Sequence, residues 1–434
     1  NTCGALMPKG VVITHALRTV YAKVGTALRE VPAVELGRQA VTELIERSDL
    51  DAARIDEVII GCAGNPFDAA NISRVITLRA NLPRAIPAVT VQRNCGSGME
   101  AITTAVERIR CGRARIVVAG GVESMSGYPL LFRHSAQRTF EKLARAKSFS
   151  QRLSALAAFR PRHFQPVVGL ESGLTDPVCG LNMGETAEVL AKEFQITRQM
   201  QDELALASHR RAVAAEEAGR FAAERIPVYL PPSYEQLVDI DVGPRPGQTI
   251  EALARLRPIF DRRHGTVTAG NACMVTDGGA AVLVMDEETA GQLGYEPLGR
   301  VAGYAWAGCS PRRMGLGPCY AVPPALAEAG IDLQQAELIE LNEAFAAQVI
   351  ACEICFRSTS FARQELGLDR AIGEIDRDKL NVNGGAIALG HPVGSTGTRL
   401  VVTLLHEMAR RGNRWGVATE CIGGGQGGAM VLER

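Results

Sequence analysis

Three residues stand where a nucleophile and its proton partners would be placed. Cys95 lies in NCGSG, residues 94–98, between a β-like run at 88–92 and a stretch where Met99, Ile102, Val106 and Ile109 recur at helical spacing. At such a strand-to-helix turn, unpaired backbone N–H groups and the helix dipole lower a thiol's pKa, and the flanking glycines admit a carbonyl. A buried structural thiol is the competing reading, because free cysteine is among the most buried residue types. His391 lies in NGGAIALGHPVGSTG, again at a strand-to-helix turn, with Pro392 suited to the first helical position. Of seven histidines it alone sits in a glycine-rich turn, and an imidazole titrating near neutrality suits a base for a thiol. A capping or core histidine is its alternative. Cys421 precedes GGGQGG after a strand at 416–419, and backbone N–H groups in such a loop can converge on an oxyanion. A phosphate loop would compete, but no GK[ST] ending and no GxGxxG after a first strand is present. Asn342 and Glu343 close an apolar strand, where polar groups facing a core need a purpose.

The elements that must position these residues alternate strand with helix. Residues 10–15 and 55–62 read as strands, 32–47 and 72–80 as helices, and IVVAGG at 116–121 as a buried strand. Alternation of this kind implies a mainly parallel sheet covered on both faces. From 124 to about 275 the texture changes to helix-rich and proline-rich stretches. Within it, residues 132–165 carry eight Lys/Arg and one acid, Glu141. A solvated helical face and a basic amphipathic lid near an anionic ligand or membrane are its two readings. From Ala280 the alternation resumes through AAVLVM, LGRVAGYAWAG, AELIELNEAF, KLNVNGGAIALG and RWGVATECIGGG. Residues 49–62 align without gaps on 330–343, and each copy leads to a glycine-rich turn, NCGSG or GHPVGSTG. Two similar halves packed together, with the middle segment inserted late in the first, account for the pattern. Their strand ends would then bring Cys95, Asn342, His391 and Cys421 to one cleft.

Composition narrows the class. At 434 residues the chain is long enough for two or three domains. Lys+Arg and Asp+Glu are both 47, which gives no global pull toward nucleic acid. Eleven cysteines, an odd number over a long chain, argue against a disulfide framework and for a reducing, cytoplasmic setting. Cys352 and Cys355 form the one CxxC, and without a second pair or a nearby histidine they read as helical core rather than metal ligands. Residues 1–16 lack a signal-peptide pattern, and no apolar run reaches about 18 residues.

NCGSG, NEAF (342–345), GHPVGSTG (390–397) and CIGGGQG (421–427), in this order and spacing, resemble the signature of the thiolase family; GGVESMS, GTVTAGN and KLNVNGGAIALG agree. The resemblance covers essentially the whole chain. It implies an α/β fold with a duplicated five-layered αβαβα core and an inserted loop domain. The halves would be 1–124 plus 275–296 and 297–434, around an insert at 125–274 that binds CoA and the acyl chain. It maps the nucleophile onto Cys95, the base onto His391, the second acid/base onto Cys421 and the water-holding asparagine onto Asn342. One oxyanion hole would use His391 and the Asn342 water, the other the N–H groups of Cys95 and Gly423. CoA contacts fall on Met183, Arg245, Ala269, Cys273 and Phe345.

The activity implied is thiolytic cleavage of 3-oxoacyl-CoA to acetyl-CoA and a shortened acyl-CoA, with CoA as co-substrate and no tightly bound cofactor or metal. Condensation of two acetyl-CoA is the alternative, and a non-catalytic acyl-CoA binding subunit the remote one. In this chemistry Cys421, at an ordinary thiol pKa of roughly 8.5, would protonate the departing enolate. Family resemblance further implies a homodimer or tetramer. The insert resembles that of thiolase subunits in β-oxidation complexes, implying a hydratase/dehydrogenase partner, whereas Asn342 is shared with short-chain members, and Cys273 replaces the Ser or Thr that many carry. Leu143, Phe149, Leu153, Leu156 and Phe159 are expected to form an apolar lid face over the acyl chain, with 132–165 touching membrane through its basic side.

Overall fold

The computed structural model describes residues 10–434, so residues 1–9 of the stretch read as lacking a signal peptide lie outside it. Nine strands carry the main sheet: β1 (Val11–Thr19), β2 (Glu57–Gly61), β3 (Ala88–Val91), β4 (Ile116–Glu123), β5 (Thr276–Asp286), β6 (Gly299–Gly308), β7 (Leu338–Leu341), β8 (Trp415–Ile422) and β9 (Gln426–Glu433). Their spatial order is β7-β8-β9-β6-β1-β5-β4-β2-β3. Split between β1 and β6, which pair only at Val12–Arg300 and Ile13–Gly299, this becomes the same order read outward twice. In each half a first strand lies beside the last, and the last pairs antiparallel with the strand before it. That strand in turn pairs parallel with β2 or β7. The sequence repeat lands on β2 and β7, each preceded by a single 3₁₀ turn, Ala52–Arg54 or Leu333–Gln335.

Helices fill three layers around these strands. On the outer face of the first half lie α1 (Ala33–Ser48) and α2 (Ile72–Arg79). Between the two halves run α3 (Ser97–Arg110), from the first half, and α10 (Val393–Arg411), from the second. α8 (Gly317–Ala329) and α9 (Ala346–Phe356) cover the far side, where Cys352 and Cys355 are buried core positions. The stack is therefore α–β–α–β–α. In α3 the apolar stripe Met99, Ile102, Val106 and Ile109 is fully buried, at about 1.5–3 kcal/mol per side chain. α10 is buried almost all round because a sheet lies on each side of it. Close approach of the central helices requires glycine: a Cβ on Gly98 would sit 2.7 Å from Thr398 Oγ1 and 2.9 Å from the Gly394 carbonyl.

Residues 124–275 connect β4 to β5, whereas in the second half residues 423–425 make the same link between β8 and β9. The insert contains α4 (His134–Arg145), α5 (Phe149–Ala157), α6 (Met183–Glu193) and α7 (Arg198–Glu217). It is pinned to the core by Arg18, fully buried and paired with Glu224 at 2.7 Å and Asp241 at 2.8 Å.

The sheet is not mainly parallel, as the alternation led one to expect: five of the eight neighbouring pairs, β1–β5, β1–β6, β4–β5, β6–β9 and β8–β9, run antiparallel. Two further sequence expectations are corrected here. KLNVNGGAIALG does not continue as a strand: Leu380 makes a single bridge to β7 and residues 386–389 form a helical turn. Asn381, in the left-handed region at φ 45°, instead uses its side-chain amide to bond both the N–H and the carbonyl of Leu341. A side chain thus takes the place of a ladder.

The second correction concerns the lid. Phe149, Leu153 and Leu156 do line up on one face of α5, but that face is turned outward, at 82, 58 and 53 % exposed. Buried instead are Ala155 of α5 and Ala136 of α4, and Phe159 meets Phe140 edge-on at a ring separation of 4.9 Å and stacks on Phe164 at 5.4 Å. No residue of 132–165 lines either cavity at Cys95.

Candidate active site

Cys95 sits one residue before the Gly96 cap of α3. The preceding Asn94 adopts φ 44°, a left-handed turn that asparagine tolerates and that breaks β3 from α3. Behind the turn, Arg93 lies 4.4 Å over the Trp306 ring, pairs with Glu100 at 2.7 Å and donates to Gln426 at 3.0 Å. The Cys95 turn is therefore clamped by Trp306 and Gln426 of the second half.

Backbone N–H groups of Gly423 and of Cys95 itself lie near the Cys95 sulfur and favour the thiolate. Burial outweighs them, and the thiol is pushed up to about 11. The lowered thiol pKa expected from a helix N-terminus is thus corrected: withdrawal from water costs the thiolate more than two N–H groups return. His391 moves the opposite way, lowered to about 3 by burial first and by Arg399 second. Neutrality was the expectation; a buried imidazole beside a guanidinium resists protonation. Cys421 also departs from an ordinary thiol, held well above it by burial and then by Cys95. The resting site is therefore neutral, thiol beside imidazole.

The tautomer of His391 follows from its neighbour. Thr396 Oγ1 lies 2.6 Å from Nδ1 and donates its one proton to the Pro392 carbonyl at 3.1 Å. Nδ1–H then donates to Thr396, leaving Nε2 as the free base. His391 is fixed further by its N–H to the Met274 carbonyl at 2.9 Å.

Two cavities meet at Cys95. One, about 360 Å³, is lined by Cys95, His391, Cys421 and Gly423; Met183, Arg245, Ala269, Cys273 and Phe345 line it too, joined by Lys23. The other, about 470 Å³, runs past Met125, Tyr128, Leu170, Leu174 and Val178. Cys95, Met125, Leu174, Met183, Val393 and Gly423 belong to both walls. Asn342 lines neither. It is fully buried behind them, and neither its Oδ1 nor its Nδ2 has a protein partner. Such an orphaned amide suits a bound water. Glu343 beside it is a support: it accepts from Ser208 at 2.6 Å and Asn381 at 2.9 Å, and its burial raises its pKa.

Sequence reasoning passed over three buried carboxylates. Glu123, raised to about 7 by burial, accepts at 3.0 Å from the N–H groups of Ala63, Gly64 and Gly394, tying the His391 turn to the first half. Glu340 pairs with the fully buried Arg399 at 2.9 Å. Glu420, fully buried with neither carboxylate oxygen bonded, faces away from Cys421 toward Gly397. An acid inside the apolar strand GVATECI was the available signal.

Family models for the thiolase N-terminal domain and the thiolase C-terminal domain match residues 11–288 and 295–434. The 3-ketoacyl-CoA thiolases of Colwellia psychrerythraea and Pectobacterium atrosepticum are 41 and 42 % identical over 98 % of this chain and 97 and 96 % of their own. The Bacillus anthracis acetyl-CoA acetyltransferase superposes with a TM-score of 0.85 at 38 % identity, covering 98 % of both chains. Human mitochondrial 3-ketoacyl-CoA thiolase in complex with CoA does so at 0.83 and 36 %, again over 98 % of each. The chain belongs to the thiolase family.

Proposed function

We propose that this protein is an acetyl-CoA C-acyltransferase that cleaves 3-oxoacyl-CoA with CoA. The observation that carries the reading is one sulfur, flanked by two backbone N–H groups, at the wall shared by two cavities, one of which also holds an imidazole and a second thiol. Because thiol and imidazole are both neutral at rest, proton transfer from Cys95 to His391 Nε2 accompanies attack on the 3-keto carbon rather than preceding it. The developing oxyanion on C3 is met by the N–H groups of Cys95 and Gly423, and the enolate oxygen formed in the next step by His391 and a water on Asn342. The C2–C3 bond then breaks, its electron pair becomes the acetyl-CoA enolate, and Cys421 protonates that carbon. The acyl group stays on Cys95, its carbonyl oxygen facing the N–H groups of Cys95 and Gly423. Incoming CoA gives its thiol proton to the Cys421 thiolate and attacks the thioester. Cys95 leaves and recovers its proton from His391. Each oxyanion donor is worth about 2.7–4 kcal/mol of barrier.

In this reading the smaller cavity takes the pantetheine arm, with Lys23 and Arg245 near the phosphates, and the larger takes the acyl chain. CoA is a co-substrate, with no tightly bound cofactor. The division into halves 1–124 plus 275–296 and 297–434 around an insert at 125–274 is part of the same proposal; the matching strand orders support it. So are a homodimer or tetramer, a hydratase/dehydrogenase partner, no nucleic-acid partner and a cytoplasmic setting. No helix among the described residues is long and apolar enough to cross a membrane. Contact of 132–165 with an anionic membrane surface is supported by Phe149, Leu153 and Leu156, exposed beside the exposed Arg145, Lys147 and Arg152.

Condensation of acetyl-CoA uses the same residues, and relatives carry both names. The test is kcat/KM for thiolysis of 3-oxoacyl-CoAs from four to sixteen carbons. A flat or rising series supports the cleavage reading, since each buried CH₂ contributes about 0.8 kcal/mol. Activity confined to acetoacetyl-CoA would favour the condensing enzyme.

A further inference from the structure

We infer that Asn94 is a positioning residue that aims the Gly423 N–H at the Cys95 sulfur. The inference rests on the reading of Cys95 as the acylated thiol and adds a residue to that site.

The loop that supplies Gly423 is closed by the Ile422–Gln426 pair and packed on Cys309 and Pro311 at Gly425, but Gly423 itself has few neighbours. Gly424 and Gly425 adopt φ of 92° and 80°, and a Cβ on Gly423 would find only Met183 within 4 Å. Glycine peptides are the freest of all to rotate. Two contacts restrain them: the Cys309 N–H donates to the Gly425 carbonyl at 2.7 Å, and Asn94 Nδ2 donates to the Gly423 carbonyl at 2.8 Å. The second holds the peptide that follows the Gly423 N–H, and so limits the rotation of Gly423 on its C-terminal side.

Asn94 is itself held at both ends. Gln92 Nε2 donates to its Oδ1 at 3.2 Å, which fixes the amide's orientation. Its backbone carbonyl accepts from the Ser97 N–H at 3.1 Å and the Ser97 hydroxyl at 2.7 Å. One residue therefore bends the chain so that Cys95 enters the cavities and reaches across to the other half's loop. Asparagine combines tolerance of the left-handed region with an amide donor; glycine has the first without the second.

That difference makes the test. Asn94→Gly keeps the turn and deletes the donor. The inference requires kcat to fall about tenfold or more, a fraction of what removing an oxyanion donor costs, with KM near wild type. It also requires the pH midpoint of Cys95 alkylation by iodoacetamide to move upward, because a misaimed N–H stabilises the thiolate less. Should glycine loosen the turn enough to unfold the protein, Asn94→Asp, isosteric, tolerant of the left-handed region and without a donor, carries the kcat and KM requirements alone, because its negative charge raises the alkylation midpoint by itself. Wild-type kcat and an unshifted alkylation midpoint in a folded variant overturn the inference. A purely structural role lowers yield and Tm but leaves that midpoint in place. Failure of the underlying reading shows separately, as acyl labelling that survives in Cys95→Ala.

Discussion

At the scale of single residues, the site works with groups whose burial keeps them uncharged. A cysteine pushed up to about 11 beside an imidazole lowered to about 3 is no ion pair. Iodoacetamide should therefore react with Cys95 slowly at pH 7 and still be accelerating above pH 9, as thiolate accumulates on approach to the folded pKa. A plateau below pH 8 would mean that the thiolate forms at rest. The two thiols should separate by variant. Cys95→Ala should lose turnover and acyl labelling together, whereas Cys421→Ala should still be acylated by acyl-CoA yet fail to condense, because enolate formation has lost its base. Wild-type condensation by Cys421→Ala would assign the base elsewhere. Cys95, His391 and Cys421 were legible because each stands in or beside a glycine-rich stretch, NCGSG, GHPVGSTG or CIGGGQG. Their pKa values were not, because burial depends on what a distant half places over them. Asn94 escaped for a related reason: its partner, the Gly423 carbonyl, lies far off in sequence.

Elements were read with uneven success, and the physical cause differs in each case. α3 declared itself by a one-sided stripe, whereas α10, covered on both sides, buries Thr398, Arg399 and Thr403 along with its apolar residues. The 380–389 segment looked like a strand, since no pattern reveals that Asn381's side chain will do the bonding. For α5 the apolar face was correctly seen and wrongly aimed. That changes the expected outcome of Leu153→Ser with Leu156→Ser: kcat/KM should stay near wild type for both long-chain substrate and acetoacetyl-CoA. The same pair should weaken co-sedimentation with anionic phospholipid vesicles. Selective loss of long-chain activity would put α5 back over the acyl chain.

For the whole molecule, the central layer carries a cost that pH should expose. Glu420 is buried without a bonding partner, and its pKa stands well above the ordinary 4.5. Folding therefore takes up a proton once the pH exceeds the unfolded value, and stability falls as pH rises toward the folded one. One such proton is worth about 1.4 kcal/mol per pH unit in that window. Glu420→Gln should accordingly gain Tm over wild type at pH 8 and gain less at pH 5. An equal difference at both, measured by calorimetry, would mean that Glu420 is ionised and compensated in the native protein.

The unequal links between paired strands also set an order of assembly. In the second half β8 meets β9 across residues 423–425, so that hairpin can zip as soon as its turn forms. In the first half Ile116 pairs with Met285, and β4 must wait for everything between to be threaded or folded. Closure of a longer loop costs about 0.6 kcal/mol more for each doubling, and non-local pairing is slow to be rewarded. On refolding from denaturant, amides of β8 and β9 should thus gain protection in pulsed hydrogen exchange before those of β4 and β5. The oxyanion loop would then be in place first, and the nucleophile's half would close onto it.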